Sequence, residues 1–153
     1  MVWNISQLPM PGLAATSKVK RITNTQGVND AIDVQEEVWQ RSFDDFRKNL
    51  IERQQHDSDN ISIYVAYEND KPVSSAWITY TPDSPFGGLW GGSTLEGYRG
   101  RGFYSDLIAA RAHEAKARGI KYLTIDASDM SRPIVEKLGF EFISYTQPYE
   151  YDV

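Results

Sequence analysis

The chain has no cysteine among its 153 residues. Disulfides, thiolate metal sites and a cysteine nucleophile are therefore excluded. Its two histidines, His56 and His113, are too few for a histidine-rich metal site. Basic residues are the minority, 16 Lys and Arg against 21 Asp and Glu, for a formal net charge of −5. That balance argues against nucleic-acid binding, which uses a basic face, and mildly favours a cationic or amine partner. No apolar run approaches the ~20 residues of a membrane-spanning helix. The opening Met1-Val2-Trp3-Asn4-Ile5 lacks the basic-then-apolar order of a secretory leader. The expectation is a soluble cytoplasmic protein without a metal, a membrane partner or a nucleic-acid partner.

Hydrophobic residues at 41% and charged residues at 24% fit an ordinary globular chain, and the length suggests one domain with a real core. Residues 1–17 read as an irregular N-terminal segment, because Pro9, Pro11 and Gly12 interrupt any helix. Residues 18–153 read as a single domain. Within it, Val19–Thr23 is a short strand. Val28, Ala31, Ile32, Gln35, Val38 and Trp39 follow a helical period, and Phe43, Phe46, Leu50 and Ile51 mark a second helix that Ser42 is placed to cap. The polar stretch from Gln54 to Asn60, which contains His56, reads as a loop. Ile61, Ile63, Val65 and Tyr67 alternate as a strand, Asn69-Asp70 is turn chemistry, and Val73–Thr81 is the partner strand of a hairpin. A strand near Leu89–Leu95 is crowded by Gly87, Gly88, Gly91 and Gly92, which suits a bulge or the close approach of a ligand.

The helix over residues 103–118 is the clearest in the chain. Leu107, Ile108, Ala112 and Ala115 form its apolar stripe, Arg111 interrupts that stripe, and Gly119 ends it. His113 points off the stripe and reads as solvated. Tyr122–Ala127 is the next strand. A short helix follows with Ser131 at its cap, Pro133 in its first turn and Gly139 at its end. Phe140–Tyr145 reads as a last strand. The order is β-α-α-β-β-β-α-β-α-β, an α/β fold with a mixed sheet.

Arg99-Gly100-Arg101-Gly102-Phe103-Tyr104 joins the glycine-crowded strand to the long helix. A glycine loop at such a junction turns several backbone N–H groups toward one point, and the positive end of the helix dipole adds to them, so the loop suits a phosphate. A dinucleotide-binding fingerprint is disfavoured because Ser105 stands where the third glycine would be. A P-loop is excluded by the lack of a Gly-Lys-Ser/Thr ending.

This loop, the order of elements, and Glu136-Lys137-Leu138-Gly139-Phe140 at the end of the last helix together resemble the GNAT superfamily of N-acetyltransferases. The motif similarity covers Leu89 to Phe140. The resemblance implies a central mixed sheet flanked by helices, and acetyl-CoA as acyl-donor cosubstrate. Its diphosphate would rest on the amides of Gly100, Arg101, Gly102, Phe103, Tyr104 and Ser105, with Arg99 or Arg101 on a phosphate. Its pantetheine arm would hydrogen-bond the backbone near Ser93, Thr94 and Leu95 like an added strand, where the two parallel strands splay. An amine of an unidentified small-molecule or protein acceptor would attack the thioester directly. Glu96 and Asp126 are the candidate bases, and Ser128 the candidate donor to pantetheine or thiolate. Tyr80, Trp90, Tyr145 and Tyr149 are candidate walls of the acceptor pocket.

The sequence also departs from the family pattern. Tyr104 replaces a small residue, Ser128 stands where many members have Asn, Glu96 where proline is frequent, and Val135 where many carry a Tyr acid. The alternative reading is a non-catalytic acyl-CoA-binding module with a sensing role. The final strand pair looks short, so the expectation is either that the chain ends early or that a missing strand is supplied by another molecule, such as the second copy of a homodimer.

Overall fold

The computed structural model describes residues 1–6 and 18–151. The elements are β1 (Val2–Asn4), β2 (Val19–Arg21), α1 (Thr25–Trp39), α2 (Asp44–His56), β3 (Ile61–Glu68), β4 (Lys71–Tyr80), β5 (Phe86–Thr94), a 3-10 turn (Glu96–Tyr98), α3 (Phe103–Ala117), β6 (Tyr122–Ile125) and α4 (Arg132–Leu138). Six strands form one sheet in the order β1-β6-β5-β4-β3-β2. Only β5 and β6 are parallel, joined by α3 in a βαβ unit. The expected mixed sheet flanked by helices is therefore present.

Alternation along the strands assigns the two faces. Ile61, Ile63 and Val65 of β3 pack with Val28, Ala31 and Ile32 of α1 and Leu50 of α2. Tyr64 of β3 and Ala76 of β4 point the other way, onto Leu107 of α3. Local chemistry fixes the boundaries. The Asn24 side chain caps α1 by accepting the Gly27 N–H at 2.8 Å. Asn69 and Asp70 have φ of 49° and 62°, the left-handed pair that a two-residue hairpin turn requires. Ser42 does not cap α2 as expected; Phe43 holds that position without a side-chain bond. The helix runs on to His56, into the stretch read as loop.

Both ends of the chain differ from the expectation. Residues 7–17 of the segment read as irregular lie outside the described residues, but Val2–Asn4 is a strand, antiparallel to β6. The Met1 ammonium donates to Ile125 O at 2.8 Å, and the Ile5 N–H to Lys121 O at 3.0 Å. Trp3 and Ile5 are buried, with the Trp3 ring 5.4 Å from that of Phe140. Conversely, Phe140–Tyr145 does not form a last strand. Only Glu141 pairs, exchanging two main-chain bonds with Val2 at 3.0 and 2.7 Å. The place beside β6 is already taken by β1, so the chain's own first residues supply the strand expected from elsewhere.

Candidate active site

Parallel pairing of β5 and β6 runs from Phe86 opposite Tyr122 to Leu89 opposite Ile125 and goes no further. Past Leu89, β5 stays on β4 but bulges. Trp90 faces Trp77 and Ser93 faces Ser75, so Gly91 and Gly92 together oppose Ala76. The bulge needs both glycines. Gly91 has φ +68°, and a Cβ there would lie 2.3 Å from the Trp77 ring; a Cβ at Gly92 would lie 2.5 Å from Tyr104 Cε2. Each face of the sheet presses one aromatic ring onto bare backbone.

Two polar side chains hold the bulge. From α1, Gln35 Nε2 donates to Ser75 Oγ at 3.0 Å and to Gly91 O at 2.5 Å, while its Oε1 accepts from Ser93 Oγ at 3.0 Å. From α3, Arg111 Nη1 donates to Trp77 O and Trp90 O at 3.0 and 3.3 Å, and Nε to Leu107 O at 3.0 Å. Arg111 is 1% exposed, and its Nη2 has no hydrogen-bond partner among the described residues. Burial brings its pKa down to about 10.

A cavity of about 250 Å³ opens where β5 and β6 part. Gln35 and Trp39 of α1, Trp90 and Ser93 of β5, and Tyr104 and Arg111 of α3 line it. Asp126, Ser128 and Ser131 close it from the stretch after β6. Asp126 and Ser128 are exposed. Ser128 Oγ lies 3.2 Å from Ser131 Oγ and accepts the Ser131 N–H at 3.3 Å.

The glycine loop leads into α3. Gly100 and Gly102 have φ of 71° and 88°, with nothing within 4 Å of where a Cβ would stand. Gly102 is the N-cap, no side chain caps the helix, and its carbonyl takes the first helical bond from Asp106 N–H at 2.9 Å. Among the described residues, no N–H from residues 100 to 105 makes a main-chain bond to another element. The donors are free and the helix dipole points at them.

The two arginines are committed. Arg101 pairs with Glu68 and stacks over Tyr98 and Phe103 at 5.4 and 5.5 Å. That pairing holds the Glu68 carboxyl below its ordinary range. Arg99 Nε donates to Thr94 O at 3.2 Å.

The remaining candidates are placed as follows. Glu96 sits exposed on the 3-10 turn and does not line the cavity. Ser93 O accepts from Ser74 Oγ at 2.8 Å. Leu95 has both main-chain groups engaged, its N–H with Val73 O and its carbonyl with the Tyr98 N–H, each at 2.9 Å, so it has no free N–H for pantetheine. Phe103 is buried, Tyr104 turns inward onto Gly92, and Ser105 is half-buried. Of the four aromatics proposed as acceptor walls, only Trp90 lines the cavity. Tyr80 is buried with its hydroxyl on Glu114 at 2.5 Å, and Tyr145 and Tyr149 are exposed on the C-terminal stretch. Val135 is fully buried. Sequence reasoning missed the cavity roles of Gln35, Trp39, Arg111 and Ser131. The legible signal for Gln35 and Arg111 was a polar residue inside an apolar stripe.

Among solved structures, the chain is similar to the aminoglycoside acetyltransferase AAC(6')-Iy in complex with the bisubstrate analogue CoA-S-monomethyl-acetylneamine (TM-score 0.73, 21% identity, covering 88% of this chain and 97% of that one). It is also similar to a predicted acetyltransferase from Clostridium acetobutylicum with acetyl-CoA (0.70, 18%, 86% and 94%). A third is an aminoglycoside acetyltransferase, meta-AAC0020, from an uncultured soil metagenomic sample, in complex with sisomicin (0.71, 14%, 89% and 95%). At such identities the likeness is one of fold. No curated protein matches the chain. Among the described residues, no group of three His, Cys, Asp or Glu could hold a metal, and no helix is long and apolar enough to cross a membrane. The model of the acetyltransferase (GNAT) family matches residues 28–140. The uncapped amides of residues 100 to 105, with open space at both glycines, fit the diphosphate of the cosubstrate that this family uses. The chain belongs to the acetyltransferase (GNAT) family, as an acyl-CoA-dependent N-acetyltransferase whose cosubstrate is acetyl-CoA.

Proposed function

We propose that the chain acetylates an amino group of a small, amine-rich molecule, by direct attack of that amine within the cavity between β5 and β6. The observation that carries this reading is the row of unbonded amides at residues 100 to 105 leading to a cavity where the parallel strands part. Acetyl-CoA supplies an electrophilic thioester carbonyl and a thiol leaving group. The chain's residues do the rest. The loop amides hold the diphosphate, and the edge of β5 past Leu89, free of β6, receives the pantetheine arm through Ser93 and Thr94.

An ammonium is not a nucleophile, so its proton must leave first. Asp126 is the base in this reading, being the carboxylate that lines the cavity; Glu96 is not favoured. Trp39 and Trp90 line the cavity and supply aromatic rings that suit a cationic acceptor. The aminoglycoside-type ligands of two structural neighbours support a small-molecule amine over a protein one. Residues 18–153 act here as one domain onto which β1 docks.

The test joins two measurements. Acetyl-CoA at 100 times its dissociation constant stabilises by about 2.7 kcal/mol, a melting shift of roughly 5–10 °C for a chain of this size. Thiol release is then followed across a panel of amino sugars, polyamines and peptides. Turnover with the first two classes is expected. Absence of a shift at millimolar ligand overturns the reading, and a shift without turnover on any amine favours a non-catalytic acyl-CoA-binding module.

A further inference from the structure

Arg111 is a buried cation that the fold does not use up. Two of its guanidinium nitrogens meet main-chain carbonyls, and the third has no partner. None of the ion pairs among the described residues includes it. The ionisable groups that bear on it are phenols, Tyr104 from its own helix, Tyr64 from β3 and Tyr80 from β4. The nearby Glu114 on the same helix is spent on Tyr80, Ser62, Arg21 and Arg118. A buried charge without a counter-charge is unfavourable unless something else compensates it. Arg111 lines the cavity, as does Asp126.

Negative charge develops in that cavity during transfer. The amine nitrogen bonds to the acyl carbon, the carbon–sulfur bond breaks with its electron pair going to sulfur, and the amine's proton passes to Asp126 or water. The phenol on the cavity lining, Tyr104, has its ring turned onto the Gly92 backbone, which leaves it poorly placed to protonate the sulfur. Val135 stands where a Tyr acid is frequent and is buried, and the Ser128 and Ser131 hydroxyls are poor acids. We propose that Arg111, from the α3 side of the splay, supplies the positive potential that holds the leaving thiolate in its ionised form, replacing a proton donor. This rests on the acetyl-CoA reading of the cavity.

The test is direct and needs no acceptor. Free CoA, isotope-labelled at the carbon that bears the sulfur, is titrated with pH by NMR alone and bound to the full chain. Bound to the wild type, the thiol ionises about 1 unit or more below free CoA. Arg111→Gln, which keeps a donor but loses the charge, removes most of that shift, and Arg111→Lys keeps part of it. A wild-type titration that coincides with free CoA overturns the proposal, as does a full shift in Arg111→Gln. Should Arg111→Gln fail to fold, the wild-type and Arg111→Lys titrations decide between the same outcomes. CoA that does not bind at all overturns the cofactor reading beneath it instead.

Discussion

Single residues carry opposite demands in this site. Gly102 has φ +88° and, in the proposed binding mode, must also keep its surroundings free of negative charge. Gly102→Asp is expected to abolish the acetyl-CoA melting shift, because a carboxylate then enters the phosphate cradle. Gly102→Asn, which tolerates the left-handed region, is expected to keep most of it. A loss in both variants would point to backbone strain rather than charge. Gly91 is less forgiving, since it combines φ +68° with the Trp77 ring at 2.3 Å. Gly91→Ala is expected to cost about 2–4 kcal/mol in urea unfolding, the sum of left-handed strain and overpacking. Gln35→Ala removes the clamp from Ser75, Ser93 and Gly91 and is expected to cost ~1–3 kcal/mol for each group left buried without a partner. The glycines announced themselves in the sequence because their spacing is unusual. Gln35 and Arg111 were legible only as polar residues on apolar stripes; their roles were not, because helical periodicity locates a buried face without saying what a polar residue on that face is bonded to.

At the scale of elements, what was legible was local. The β3–β4 hairpin, α3 and α4 carry their own turn and cap chemistry: Asn69-Asp70, Gly102, Gly119, Pro133 and Gly139. The short β1 was not legible, since three residues give too little alternation, and its partner β6 lies more than a hundred positions away. Phe140–Tyr145 was misread for the converse reason. Its apolar and aromatic residues suit a strand, but the neighbouring edge is occupied. Trp3→Ala is accordingly expected to destabilise by about 3–5 kcal/mol, measured by urea unfolding. Deleting the chain from residue 146 onward, whose described residues 146–151 are exposed, is expected to change stability by less than ~0.5 kcal/mol. A larger loss from that deletion than from Trp3→Ala would refute β1 as the stabilising edge strand.

For the molecule as a whole, the sheet is continuous except where β5 leaves β6, and the cavity, the bulge and the buried guanidinium all gather at that departure. In the proposed reading the cosubstrate is held by neutral amides, whereas a polycationic acceptor would be drawn by a chain of net charge −5. The KM for a polyamine is therefore expected to rise with ionic strength, while CoA affinity changes less. Equal salt dependence of the two would contradict that division. The central claim is that the backbone donors opening α3 bind the diphosphate. Backbone-amide NMR during a CoA titration tests it most directly. The account predicts that the amides of residues 100 to 105 show the largest shifts and saturate together with the melting response; binding that leaves those amides unmoved would contradict it.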